Sequence, residues 1–190
     1  MMYDPFEIND MLKRAVLLVD TREQDTPAYR QRLQQIGMPY YREKLDAGNY
    51  GIRTTDDSGR VIDAHTVIER KMNLDELCTC FTSERSRFRR EFERASGSGV
   101  KVWLLVEDAS WAQMLHGQYR SKMHPNALQG SVFSWAARYG ISIVMCRSAD
   151  AAVLIGDILY HALKHELEVM DDESTDGDPA DVDGRIQPAG

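Results

Sequence analysis

Glu69 and Lys71 stand two residues apart in the stretch Val67-Ile68-Glu69-Arg70-Lys71-Met72-Asn73-Leu74-Asp75. On an extended strand successive side chains alternate between faces, so these two point the same way, about 7 Å apart, and Arg70 points the other way. A carboxylate beside an ammonium suits cleavage of a phosphodiester. The acid can hold a divalent ion, and the lysine can steady an attacking water or the charge growing at phosphorus. Exposed strands also carry such pairs for solubility, so the spacing alone does not decide. Two other places share its character. Asp20 closes the apolar run Ala15 to Val19 and is followed by Thr21, Arg22 and Glu23; Asn49 sits in the turn Asp46-Ala47-Gly48-Asn49-Tyr50-Gly51.

The elements that must position these groups follow from periodicity and punctuation. Ala15 to Val19 reads as a buried strand, Pro27 opens a helix to about Ile36 with Gly37 as its stop, and Tyr40 to Leu45 reads as a second strand. Tyr50 to Thr54 and Val61 to Lys71 form a hairpin pair around Asp56-Asp57-Ser58-Gly59. Asn73 caps a short helix from Leu74 to about Phe81. Ser83 caps another, Glu84 to about Ala95, with Phe88 and Phe92 on one stripe. Lys101 to Val106 is a strand ending at Glu107-Asp108, and residues 109–123 are irregular or partly helical. Pro125 opens a helix to about Tyr139, Ile141 to Cys146 is the last strand, and Asp150 to about Met170 is a long amphipathic helix. Strands separated by helices, with an early antiparallel hairpin, predict a mixed α/β sheet flanked by helices.

The 190 residues suffice for one domain with a core, here expected over 15–170, with a loosely attached N-terminal arm at 1–14. Of the net charge of −7, nearly all lies in 171–190, where seven acids face one arginine. That acidic tail reads as disordered, and the rest of the chain is close to neutral, so local patches decide what it attracts. No apolar run approaches a membrane helix, the first residues do not read as a signal peptide, and Cys78, Cys80 and Cys146 show no paired CxxC spacing. A cytoplasmic protein with reduced thiols, in a bacterial or phage-infected cell, is the expectation.

Val19-Asp20-Thr21-Arg22-Glu23, Gly48-Asn49-Tyr50 and Glu69-Arg70-Lys71 followed by Asp75 resemble the three signatures of the ERCC4 (XPF/Mus81-type) nuclease domain, part of the restriction-endonuclease-like superfamily. The likeness spans roughly residues 15–165. Ser83 to Glu93, and Tyr119 to Met123 through Arg138-Tyr139-Gly140, look similar to the compact ERCC4-type nucleases of phages and prophages. The resemblance implies a restriction-endonuclease-like fold, Mg²⁺ or Mn²⁺, and cleavage of branched or junction DNA in repair or recombination. Carried over by motif, Asp20, Asn49 and Glu69 would surround the metal, Glu23 would join the catalytic set, and Lys71 would act on water or phosphate. Arg22, Arg70 and Asp75 match supporting positions; Asp75 also suits plain stabilisation of an early helix turn. Dimerisation through the nuclease domain is implied too, with the apolar face of Ala149 to Leu167 as one surface or as core.

One position departs from the pattern. The family's second motif is Gly-Asp-Tyr, and here asparagine stands at 49. An amide oxygen can coordinate a hard cation but brings no charge. Asn49 is an engineered substitution that stops cleavage, a natural loss that leaves a DNA-binding pseudonuclease acting as a partner subunit, or part of a rearranged ligand set drawing on Asp46 or Glu43.

Arg85, Arg87, Arg89 and Arg90 crowd the helix after the third motif, and Arg120 and Lys122 flank a basic-aromatic loop. Both can meet DNA phosphates, or be a solvated helix with i,i+4 pairs and a plain surface loop. His161 and His165 have metal-ligand spacing without a convincing third ligand.

Overall fold

The structure, a computed structural model, describes residues 3–169. The acidic segment at 171–190 lies outside the described residues.

Of the expected arm, the described residues from Tyr3 on pack against the core and do not hang loose. Pro5–Lys13 is helix α1, opened by a capping box: the Asp4 carboxylate accepts from the Phe6 and Glu7 backbone N–H groups, and Glu7 accepts from the Asp4 N–H. Ile8, Met11 and Leu12 follow i, i+3, i+4 spacing and are buried. The Thr54 hydroxyl ties the helix to the sheet by donating to the Met11 carbonyl.

Among the described residues seven strands make one mixed sheet: β1 (Val16–Asp20), β2 (Tyr40–Glu43), β3 (Tyr50–Thr55), β4 (Val61–Asp63), β5 (Thr66–Lys71), β6 (Lys101–Glu107) and β7 (Ser142–Cys146). Their order is β2-β1-β3-β5-β6-β7, with β4 also paired to β3. β3 is antiparallel to β1, β4 and β5; the β1–β2, β5–β6 and β6–β7 pairs are parallel. The expected hairpin is present, but its second arm is interrupted. Arg53 pairs with Asp63, whereas Tyr50 pairs with Ile68, so two extra residues bulge at Ala64-His65. The His65 N–H at that break donates to Glu166 at 2.7 Å.

Further helices among the described residues cover the sheet: α2 (Pro27–Ile36), α3 (Leu74–Phe81), α4 (Arg85–Gly97), α5 (Trp111–Leu115), α6 (Pro125–Tyr139) and α7 (Ala151–Val169). α1, α2 and α7 pack on one face with Leu17, Val19, Ile68 and Leu105. α3, α4, α5 and α6 pack on the other with Leu104 and Val106. Alternation along each strand feeds both cores. Ser83 is not the cap of α4; Glu84 occupies that place with no side-chain bond, and the helix runs on to Gly97. The apolar face of α7, considered above for dimerisation, is filled by Ile155, Leu159, Leu163 and Leu167, all fully buried in the first core.

β1, β5 and β6 run the same way, so Asp20, Lys71 and Glu107 end at one edge of the sheet, where β3 begins. Gly48 makes the turn into β3 at φ +74, and a Cβ there would lie 2.9 Å from the Ile68 carbonyl oxygen. Only glycine fits that approach.

Candidate active site

A cleft of about 720 Å³ opens at this edge, walled by the start of α2, the β5–α3 turn and α4. Glu23, Asn49, Glu69, Arg70, Lys71 and Arg22 line it, together with Arg87, Glu91 and Glu107. Motif residues that are far apart in sequence therefore converge, on both faces of β5.

On the α4 side, Glu69 and Lys71 point the same way and pair at 2.5 Å, both nearly fully buried. Burial pushes the Glu69 carboxyl up to about 6, against the opposing pull of Lys71. Burial alone would lower Lys71, but Glu69, Cys80 and Glu76 hold its ammonium above the ordinary value. Lys71 also lies 5.0 Å from the Phe88 ring centre. Glu91 of α4 is buried nearby and sits 3.6 Å from Arg22.

Asp20 is fully buried and fully occupied. It accepts from the Arg22 backbone N–H at 2.7 Å, from Arg22 Nε at 2.7 Å and Nη2 at 3.1 Å, and from the Leu45 N–H at 2.8 Å. Burial works to raise its carboxyl, yet these bonds hold it below the usual carboxylate range.

On the α2 side, Asn49 bridges two motif residues. Its Oδ1 accepts the Arg70 backbone N–H at 2.7 Å, and its Nδ2 donates to Glu23 Oε1 at 3.1 Å. The other Glu23 oxygen accepts from the Tyr50 hydroxyl at 3.0 Å. Burial, with Glu23 beside it, raises Tyr50 to about 12, so the phenol stays a neutral donor.

The family model for the ERCC4 domain matches residues 19–157. The chain belongs to the ERCC4 domain family. Among solved structures it resembles XPF from Aeropyrum pernix, with a TM-score of 0.57 and 18% identity over 82% of this chain and 68% of that one. The complex of the Aeropyrum pernix protein with DNA gives 0.53 and 17%, over 87% and 69%. At this identity the likeness shows a shared fold, in keeping with the restriction-endonuclease-like expectation. A search of curated proteins returned no match.

A divalent ion, implied by the resemblance, is not matched by the side chains as they stand. Among the described residues no three His, Cys, Asp or Glu groups gather to hold one. Asp20 is sealed behind Arg22, Glu69 faces Lys71, and the Asn49 oxygen is committed to a backbone N–H. Each member of the expected Asp20–Asn49–Glu69 ligand set is thus engaged by a nearer protein partner. A rearranged set fares no better: Glu43 is held by Arg53 at 2.9 and 3.0 Å, and Asp46 is exposed.

The expected DNA-contacting residues divide. Arg87 reaches the cleft wall, while paired to Glu84 at 3.1 Å. Arg85 donates to the Phe81 carbonyl, Arg89 pairs with Glu93 at 2.7 Å, and Arg90 and Lys122 are exposed. Asp75 stands outside the cleft lining and organises the 119–122 loop, accepting from the Arg120 and Ser121 N–H groups at 2.8 and 2.7 Å. His161 and His165 sit on α7 at a separate groove beside the starts of β5, β6 and β7, at the opposite edge of the sheet from the cleft.

Three residues of the site escaped the sequence reading: Arg32, Glu91 and Glu107. Glu107 had a visible signal, since it ends an apolar strand as Asp20 does. Arg32 shares the i, i+3, i+4 stripe of α2 with Tyr29 and Leu33.

Proposed function

We propose that this chain is a DNA-binding domain for branched or junction DNA, carrying the hydrolytic centre of a structure-selective, Mg²⁺- or Mn²⁺-dependent endonuclease that Asn49 holds silent. The observation behind this reading is the Asn49 bridge. An amide satisfies the Glu23 carboxylate and the Arg70 N–H together, without any cation. An aspartate in its place would face Glu23 carboxylate to carboxylate, an arrangement that calls for a bridging cation or a shared proton. Lys71, buried and charged, stays in place beside the cleft for phosphate or water.

The second reading, a pseudonuclease acting as a partner subunit, rests on the same bridge and differs in whether the remaining residues still suffice once aspartate returns. Self-association through the nuclease domain would use exposed apolar groups rather than α7. The stacked pair Trp111–Phe133, with ring centres 5.8 Å apart and both rings substantially exposed, is a candidate; sedimentation of Phe133→Asp against the parent tests it.

Binding tests the function first. Titration of labelled four-way-junction, fork and linear duplex DNA without divalent ions should give tighter binding of the branched forms, weakening steeply with salt. Equal or absent binding to all three contradicts the proposal.

A further inference from the structure

Five side chains beside the cleft close a ring of four hydrogen bonds and one ion pair. Glu107, at the end of β6 and buried, accepts from Arg32 Nη2 at 3.0 Å and from Arg70 Nη1 at 3.0 Å, one arginine on each oxygen. Arg32 Nη1 donates to the Tyr50 hydroxyl at 3.2 Å, and that hydroxyl donates to Glu23 Oε2 at 3.0 Å. Arg70 Nη2 lies 3.6 Å from the same Glu23 oxygen and closes the circle. The members come from α2, the turn after β1, β3, β5 and β6. Two guanidiniums and two carboxylates leave it neutral.

The backbone beside it is unusual. Asp108 has φ 45, rare for a residue with a side chain, and is pinned there by accepting the Ser148 N–H at 2.8 Å. This turns the chain sharply away directly after Glu107.

The ring includes three motif residues, Glu23, Tyr50 and Arg70, and holds them through two residues outside the motifs, Arg32 and Glu107. We propose that Glu107 and Arg32 are positioning residues. Glu107 fixes the Arg70 fork, and Arg32 fixes Glu23 through the Tyr50 hydroxyl, so that both motif groups meet the substrate phosphate pre-set. Neither needs to touch DNA. This rests on the proposed function, because positioning has meaning only for a centre that cleaves.

The test has two arms. In the Asn49→Asp background, Glu107→Gln should leave KM for junction DNA within about twofold while kcat falls about tenfold or more. Because Glu107→Gln leaves a buried arginine short of a partner and can unfold the chain, a charge-balanced change, Arg32→Met with Glu107→Gln, is made alongside; it should fold and show the same loss in kcat. Full kcat in the charge-balanced variant, or a loss carried by KM, overturns the proposal. The second arm needs no activity: ¹⁵N spectra of the unaltered chain should show separate η resonances for Arg32 and Arg70, merging in Glu107→Gln. If Asn49→Asp does not cleave, the proposed function fails and the spectra alone decide the ring. Resonances already merged in the unaltered chain, or unchanged by Glu107→Gln, overturn it.

Discussion

The Asn49 side chain donates to the Glu23 carboxylate across 3.1 Å, where the family pattern would set two carboxylates face to face. Two unit charges at that separation repel by roughly 5 kcal/mol at an effective dielectric of about 20. Asn49→Asp should therefore lower the melting temperature in EDTA, and Mn²⁺ or Mg²⁺ should raise it again by binding the folded state. The parent should show no such cation effect. Calorimetry with and without the ion checks this; equal cation response in both proteins would mean the amide is not what keeps the ion out.

Glu69 and Lys71 are buried partners, and removing one strands the other. Lys71→Met should destabilise the fold by about 3–5 kcal/mol, and adding Glu69→Gln should recover much of that. Urea denaturation of the two variants provides the measurement.

Stability should also respond to pH through Glu69. Its carboxyl is raised in the fold from 4.5 to about 6, chiefly by burial. Between those values the folded state binds more protons than the unfolded chain, so stability falls as pH rises through the window. The parent should lose more stability there than Glu69→Gln does. Parallel pH curves for the two would show that Glu69 titrates normally.

Helix α1 is part of the core. Met11→Ala should cost about 2–5 kcal/mol, as expected for a fully buried side chain, whereas Phe6→Ala on the exposed side should cost little. Matching small effects would restore the loose arm.

Along α4, Arg87 reaches the cleft and Arg89 is committed to Glu93. Arg87→Ala should weaken junction binding across sequences and reduce the salt slope by about one, while Arg89→Ala changes it less. Fluorescence anisotropy at several salt concentrations separates them.

What could be read from the chain depended on how local the cause was. Helix α3 matched the expected Leu74 to Phe81 because Asn73, its cap, signals only to the next turn. Strand ends were legible because apolar runs stop at acids. Helix α1 was missed because its apolar stripe spans just Ile8 to Leu12, and its capping box is built from residues that also read as a polar arm. The convergence of Asp20, Glu23, Asn49, Glu69 and Lys71 at one edge followed from motif order. Their partners did not. Arg22 captures Asp20 from two residues away through its side-chain direction, and Glu107 meets Arg32 and Arg70 across 75 and 37 residues of chain. Such pairings depend on strand order, which periodicity does not encode.

Cleavage of labelled flap, fork and four-way-junction DNA with Mg²⁺ or Mn²⁺ tests the central claim most directly, comparing the parent, Asn49→Asp, and Asn49→Asp with Lys71→Ala. The account predicts no cutting by the parent, cation-dependent cutting at branch points by the aspartate variant, and loss of that cutting when Lys71 is also removed. Binding without cutting by a folded aspartate variant would contradict it, leaving a domain that holds branched DNA but no longer contains a centre to hydrolyse it.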